Sequence, residues 1–252
     1  LLIKLTGVDR EVIEKWLYII VGLTFISGIL GTGHHYYWIG APEYWLALGG
    51  IFSALEPLAF LGMALFTVAM SRKGGKTPDN RVAMLWTVGC GIVSCVGAGF
   101  LGFAHTLPQV NIWTHGTLVT AMHGHLAFWG AYAMLNLGII SYALPQMTGR
   151  KLYKHWTAEW AFWTSNVGMI AMTGAFAVAG ISQVYLERRM GMDFLAAQEA
   201  IQIHFLGLVL AASLFTVGIS LYIWNFIAHG LPTDEMLLSN NSAPTGDPVA
   251  AK

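Results

Sequence analysis

The chain has 252 residues, of which 56% are hydrophobic and only 10% are charged, and 13 basic residues balance 13 acidic ones. Soluble domains carry about 25% charged residues, so this composition argues against a soluble protein and predicts an integral membrane protein. The formal net charge of zero gives no support to nucleic-acid binding.

Six segments are apolar and long enough to cross a bilayer, which takes about 20 residues. They cover residues 12–33, 44–71, 83–106, 112–145, 157–183 and 198–229. Residues 1–230 are therefore predicted to form an all-α transmembrane region of six helices. Residues 231–252 are rich in Ser, Asn, Pro and Gly, and they are predicted to form a polar, disordered cytoplasmic tail.

The basic residues predict an orientation for these spans. Eleven Lys and Arg fall on the side that holds both ends of the six-span segment, whereas the other side has only Arg188 and Arg189. Because cytoplasmic loops carry the excess of positive charge, the termini are predicted to be cytoplasmic. The loops 34–43 and 107–111 then face the periplasm.

Two adjacent histidines, His34 and His35, stand at the periplasmic end of the first span. Neighbouring residues on a regular helix cannot both face one ion. An irregular backbone beside Gly33 would allow both imidazoles to converge on iron, copper or zinc. The alternative is an interfacial aromatic belt, because Tyr-Tyr-Trp follows the pair.

Glu56 lies deep in the second span, within the sequence Ser-Ala-Leu-Glu-Pro. An ionisable residue at membrane depth indicates function by default, so we favour a carboxylate that handles protons or lies beside a metal. The alternative is a protonated carboxyl that is bonded to a neighbouring helix. Pro57 is expected to kink the helix and to open space beside Glu56.

His123 and His125 lie two residues apart in the fourth span. This spacing turns the two side chains by about 200°, so they leave the helix on opposite faces and cannot share one small ion. Two separate cofactors, one on each face, would use both rings, and imidazole at this depth suits haem iron. Gly124 between them leaves room for a large flat macrocycle.

Other residues carry weaker signals for the same site. His105 and His115 flank the periplasmic loop, where each would bond haem propionates or face water. Thr106 and Ser53 are candidate hydrogen-bonding or site-lining residues, with plain packing as the alternative.

The remaining histidines and the two cysteines are interpreted as structural. Cys90 and Cys95 lie five residues apart in an apolar run, which fits neither a zinc site nor a disulfide and predicts small buried side chains. His155 and His229 are expected at the cytoplasmic interface, and His204 is expected to make a structural hydrogen bond.

Together these motifs resemble the catalytic subunit of the haem-copper oxidase superfamily. In that family a His-His pair binds the non-haem metal, and the two histidines of a later His-x-His bind the high-spin and the low-spin haem. The resemblance covers the chain up to about residue 230 and implies the C-terminal half of a twelve-helix bundle.

Within the superfamily, residues 31–45 and 53–57 look like nitric oxide reductases. The resemblance implies an oxidoreductase of denitrification and anaerobic respiration, which reduces two nitric oxide molecules to nitrous oxide and water with two electrons and two protons. It implies that His34 and His35 bind non-haem iron, that His123 binds haem b3 and that His125 binds low-spin haem b. Glu56 would tune the iron site and pass protons.

The resemblance also implies partners for this chain. The third histidine ligand of the iron and the second axial ligand of haem b belong to helices of the family that precede this segment. We therefore expect the chain to be part of a longer, multi-pass subunit in the bacterial inner membrane, with its active site towards the periplasm. The electron donor would be a cytochrome c subunit or quinol, and any calcium site would lie outside this chain.

Three other functions remain as alternatives. An oxygen-reducing oxidase would bind copper at His34 and His35. A transporter or proton channel would use the histidines and Glu56 as a relay, but it gives no reason for His123 and His125 to face apart. A non-catalytic helical subunit leaves all of these residues unexplained.

Overall fold

The computed structural model describes residues 1–73, 80–148 and 156–230, in which all regular secondary structure is helical. Six stretches are long and apolar enough to cross a membrane, which confirms the predicted all-α architecture and number of spans. The six spans are Arg10–Tyr36, Glu43–Lys73, Arg81–Thr106, Leu118–Met147, Trp156–Arg189 and Phe194–Ala228.

The described residues contain eleven α-helices. They are α1 Leu2–Thr6, α2 Arg10–Gly31, α3 Glu43–Ser53, α4 Glu56–Lys73, α5 Arg81–Ser94, α6 Gly102–Thr106, α7 Pro108–Thr114, α8 Leu118–Phe128, α9 Met134–Met147, α10 Trp156–Val184 and α11 Phe194–Asn225. Nine of these helices lie within the spans, while α1 and α7 lie outside them. A 3₁₀ helix and four π-helical segments continue or connect the α-helices. These are Thr32–Tyr36 (3₁₀), Cys95–Leu101, Trp129–Ala133, Tyr185–Arg189 and Phe226–Gly230.

The fourth span begins later than predicted. The expected start at residue 112 is wrong, because Pro108–Thr114 forms a separate short helix and the span begins at Leu118. Gly116 adopts a left-handed conformation with φ of 71°, and the Thr117 hydroxyl then accepts a hydrogen bond from the Val119 N–H. A left-handed glycine followed by an N-cap ends one helix and starts another. The predicted tail at 231–252 lies outside the described residues.

The second span is interrupted next to Glu56, close to the predicted kink. Helix α3 ends at Ser53 and α4 begins at Glu56. The intervening Ala54 and Leu55 donate their N–H groups to carbonyls only three residues back. Pro57 falls in the first turn of α4, where a missing N–H costs little. Glu56 therefore starts a new helix instead of lying within a regular one.

Small residues bring neighbouring spans into close contact. Gly168 of the fifth span lies against the Phe215 backbone, and Gly218 of the sixth span lies against Ser165. A Cβ added to either glycine would overlap backbone atoms of the other span. Transmembrane helices associate mainly by such van der Waals packing, because lipid and side chains are equally apolar.

The aromatic core lies between the third, fourth, fifth and sixth spans. Trp86 is fully buried and makes edge-to-face contacts with Trp129, Phe162 and Tyr222, at ring-centroid distances of 6.0, 5.0 and 5.8 Å. The Trp129 indole donates to the Asn166 side chain at 3.1 Å. This core fixes the third span against the fourth, and the candidate site lies at the opposite end of the same two spans.

Gly97 makes one of these close contacts, and its replacement by Ala is expected to destabilise the protein. The new Cβ would lie 2.6 Å from the Leu126 carbonyl carbon, so the third and fourth spans would have to separate. Overpacking of this kind costs about 1–3 kcal/mol. Thermal unfolding in detergent measures the effect. Gly62→Ala is the matched control, since its Cβ would meet no described atom within 4 Å. An equal melting temperature for both variants would contradict the prediction.

Candidate functional site

The histidine pair lies on an irregular stretch of the first span. His34 and His35 fall within the 3₁₀ helix, and their ring centroids are 4.0 Å apart with the ring planes tilted by 36°. Gly33 and Gly49 allow the first two spans to touch here, because a Cβ on Gly49 would overlap the His34 backbone nitrogen. The two rings therefore lie side by side, although the residues are adjacent in sequence.

Ser53 orients the ring of His34. The Ser53 hydroxyl lies 2.6 Å from His34 Nδ1 and 3.4 Å from the Gly31 carbonyl oxygen. Because the carbonyl can only accept, the hydroxyl donates to Gly31 and accepts from Nδ1–H of His34. This assignment leaves the Nε2 lone pair of His34 available for a metal, as in metal sites where a second hydrogen bond fixes the tautomer. Ser53 is fully buried.

His123 is held against the third span by a backbone carbonyl. Its Nδ1 donates to the Gly97 oxygen at 2.9 Å, and Gly97 lies in the π-helical segment Cys95–Leu101. The other side of the ring faces Gly102, where an added Cβ would be 3.3 Å from Cε1 and 4.0 Å from Nε2. The Nδ1 bond leaves Nε2 as the remaining ring nitrogen, on the side of the ring that packs tightly against Gly102.

Glu56 packs against the same glycine. Its Oε2 lies 3.8 Å from the position that a Gly102 Cβ would occupy. The carboxyl group is half-buried and makes no hydrogen bond to another described residue. His34 contacts Ser53 of the second span, and Glu56 of that span and His123 of the fourth span both contact Gly102 of the third. The structure thus places the histidine pair, the glutamate and His123 on neighbouring faces of the first four spans.

His105 adds a fourth imidazole to this group. Its ring stacks on His123 with centroids 5.1 Å apart and planes 23° apart. Its Nδ1 lies 2.9 Å from the Leu101 oxygen. The residue is buried, and its Nε2 has no hydrogen-bond partner among the described residues. The alternative that His105 faces water is therefore wrong.

His125 leaves the helix towards a different neighbour. Its Nδ1 donates to its own helix at Ala121, 2.8 Å away. Its ring lies 4.8 Å from Phe176 of the fifth span, and the residue is exposed. His123 therefore faces the third span and His125 faces the fifth, so the two imidazoles can serve two separate ligands.

The matching family model is that of cytochrome c and quinol oxidase polypeptide I, and it covers residues 1–214. The chain belongs to this family. The predicted resemblance to the haem-copper oxidases is thereby confirmed.

Individual oxidase-family relatives differ in how much of them the chain matches. A nitric oxide reductase subunit of Stutzerimonas stutzeri is 45% identical over 237 residues, which is 91% of this chain and 50% of that protein. A cytochrome c oxidase subunit 1 homolog of Agrobacterium tumefaciens is 27% identical over 72% of the chain and 34% of its own length. The cbb3-type oxidase subunit CcoN1 of Stutzerimonas stutzeri is 22% identical over 86% and 47%. The chain thus spans half or less of these relatives.

The donor atoms suit the cofactors of the oxidase family in kind. Imidazole nitrogens bind haem iron and non-haem iron, and a carboxylate is a further ligand for iron. No group of three or more His, Cys, Asp or Glu that could hold a metal occurs within residues 1–73, 80–148 and 156–230. The side chains of His34, His35, His123 and Glu56 therefore fit haem and iron by the kind of donor atom that they offer, and the described residues do not by themselves form a three-ligand metal site.

Several predicted residues lie apart from this group. The Thr106 hydroxyl donates to Phe103 of its own helix at 2.8 Å, which turns it away from the site. His115 is exposed, and its carbonyl accepts a hydrogen bond from Arg188 at 3.4 Å. His204 lines a groove between the fifth and sixth spans.

Three further predictions concern residues without a proposed site role. Cys90 and Cys95 are buried free thiols, as predicted. His155 and the side chain of His229 lie outside the described residues.

Sequence reasoning missed three contributors to the oxidase-family site. The hydrogen bond of His123 to the Gly97 carbonyl and its contact with Gly102 were not predicted. The three glycines in the six residues Gly97–Gly102 were a signal that another helix packs closely there. The stacking of His105 on His123 was also missed, because spacing along one helix gives no information about its neighbour.

Proposed function

We propose that this chain forms part of the catalytic subunit of a bacterial nitric oxide reductase in the inner membrane. The reaction is 2 NO + 2 e⁻ + 2 H⁺ → N₂O + H₂O. The single observation that carries the proposal is that the carboxyl group of Glu56 and the imidazole of His123 pack against the same glycine, Gly102. The 45% identity to a nitric oxide reductase subunit supports it.

His34 and His35 would hold the non-haem iron. The hydrogen bond from His34 Nδ1 to Ser53 supports this role, because it presents Nε2 to the site. Imidazoles beside a hard carboxylate favour iron over copper. Glu56 would then complete or tune the iron ligand set.

His123 would hold haem b3, and His125 would hold the low-spin haem b. Both rings use Nδ1 in a backbone hydrogen bond and keep Nε2 for iron. When bound, these irons supply the redox chemistry by accepting single electrons and binding nitric oxide. Because His123 and His125 share one short helix segment, this segment would connect the cofactor that delivers electrons with the cofactor at which the reaction occurs.

Glu56 would bring protons to the reacting side of the site. A carboxyl group can bind and release a proton, and Glu56 packs against the same glycine as His123. In its ionised form the same carboxylate would attract the positive charge of the iron, so proton transfer and tuning of the iron site are linked.

Electron donor and orientation complete the proposal. The donor would be a cytochrome c subunit or quinol that acts on the whole complex. The positive-inside bias supports cytoplasmic ends for the segment and a periplasmic position for the metal site. Other helices of the subunit would supply the remaining iron and haem ligands.

The test is the metal and haem content of the full-length complex purified from its own membrane. We expect about three irons per catalytic subunit, with a further haem iron if a cytochrome c subunit is present, b-type haem bands in the reduced-minus-oxidised spectrum, no copper, and nitrous oxide production from nitric oxide. A complex that is intact and lacks haem would refute the proposal.

Oxygen reduction is the second candidate, since oxidase subunits also match the chain. It predicts copper in place of the non-haem iron and oxygen consumption without nitrous oxide. Copper content and the two gas assays therefore separate the two functions in one preparation.

A further inference from the structure

Two side chains directly after the histidine pair bind the end of the third span. The Tyr37 hydroxyl donates to the Thr106 carbonyl oxygen at 2.7 Å. The Trp38 indole N–H donates to the Asn111 side-chain oxygen at 2.7 Å. We call these two hydrogen bonds, which join segments about 70 residues apart in sequence, the clasp.

The clasp is built with strain and with buried polar atoms. Trp38 has a φ of 68° and is the one non-glycine residue with positive φ in the described part of the chain. Tyr37 and Asn111 are buried, and the Asn111 amide donates in turn to the His105 carbonyl at 2.8 Å. A strained backbone persists only where surrounding contacts determine it, and such positions concentrate at functional sites.

The third span is a common reference for both halves of the site. His123 is fixed to this span through the Gly97 carbonyl and through stacking on His105. The clasp fixes the chain just after His35 to the same span, at Thr106 and at the helix that follows. The separation between the histidine pair and His123 is therefore set through the third span, not by a direct bond.

We propose that the clasp of Tyr37 and Trp38 positions the His34–His35 pair against His123, and so sets the distance between the non-haem metal and the high-spin haem. Both residues are positioning residues, because they contact neither site directly. The proposal rests on the proposed function. It predicts that the geometry of the metal pair changes when either hydrogen bond is lost, although every ligand remains.

A purely structural role is the competing explanation. Hydrogen bonds between loop residues also hold helix ends together, and their loss then lowers stability without changing the metals. Two conservative changes distinguish the two roles. Tyr37→Phe removes only the hydroxyl, and Trp38→Phe removes the indole N–H while keeping an aromatic ring.

The matched controls are two aromatic residues at the same end of the bundle. Trp113→Phe removes an exposed indole N–H from the helix that carries Asn111, and Tyr44→Phe removes an exposed hydroxyl from the start of the second span. The variants are made in the full-length complex. Three quantities are measured on each preparation: non-haem iron per haem, the electron paramagnetic resonance signal of high-spin ferric haem, and the melting temperature.

In the clasp variants we expect non-haem iron to be bound roughly tenfold more weakly, at the low end of the loss caused by removing a direct hydrogen bond to a metal ligand, because the clasp acts on the ligands indirectly. We also expect a new high-spin haem signal, because two paramagnetic irons at altered distance lose their mutual coupling. The controls should keep the wild-type iron ratio and spectrum.

Two results would overturn the proposal in different ways. If the clasp variants melt earlier but keep the wild-type iron ratio and haem signal, the clasp is structural only and the proposed function stands. If the wild-type complex itself lacks non-haem iron, the proposed function fails and the positioning role fails with it. Should one clasp variant not fold, the other still decides, since each removes a different hydrogen bond.

Discussion

Replacing His123 with Ala in the full-length complex is expected to abolish nitric oxide reduction and to remove the high-spin haem, while the low-spin haem stays. Replacing His125 with Ala is expected to remove the low-spin haem while the high-spin haem stays. The reason is geometric. His123 faces Gly97 and Gly102 of the third span, whereas His125 faces Phe176 of the fifth, so each ring serves a different cofactor.

The measurement is the haem-to-protein ratio together with the reduced-minus-oxidised spectrum of each purified variant. Activity should fall to background in both, because one loses the reacting haem and the other loses the haem that delivers electrons. His204→Ala is the control, since His204 lies in a groove between the fifth and sixth spans. If both variants lost the same haem band, or neither lost one, the assignment of two ligands to two haems would be wrong.

The separation of His123 and His125 shows what sequence spacing can predict. Two residues on a helix differ by about 200° of rotation whatever surrounds them, so their divergence follows from the sequence alone. The number of spans follows equally well, because length and hydropathy are local properties. The family resemblance then added roles that spacing could not provide.

The contacts between the site and neighbouring helices cannot be predicted from residue spacing. The bond from His123 to the Gly97 carbonyl and the stacking on His105 depend on which helices are neighbours and on their relative height. The same holds for Tyr37, whose buried hydroxyl donates to Thr106. Periodicity along one segment contains none of these distances, so His105 was left with two open interpretations.

The predicted start of the fourth span was wrong for a local reason. Residues 112–117 contain no Asp, Glu, Lys or Arg, so charge does not separate them from the span. Gly116 nevertheless takes a left-handed conformation that a regular helix excludes. Glycine adopts either sign of φ at low cost. A glycine near the start of a span is therefore an ambiguous signal, and the structure was needed to place the break.

Glu56→Gln is expected to lower nitric oxide reduction by about 10²-fold or more, within the range of a lost proton-transfer group. Glutamine keeps the size and hydrogen-bonding ability of the side chain but cannot bind and release a proton. The turnover rate should fall while both haems are retained. Glu56 packs against Gly102, whereas the imidazoles of His123 and His125 are hydrogen-bonded to backbone carbonyls.

The control is Glu43→Gln, which removes an exposed carboxylate from the first turn of α3 on the same span. Glu56→Asp keeps the charge on a shorter side chain and separates the two roles proposed for Glu56. If proton transfer dominates, Asp should recover much of the activity lost in Gln. If iron binding dominates, Asp should lose non-haem iron as Gln does, because the shorter carboxylate no longer reaches the metal. Wild-type turnover in Glu56→Gln would contradict both proposed roles. Glu56 would then be a half-buried carboxyl group with a structural role at the break between α3 and α4.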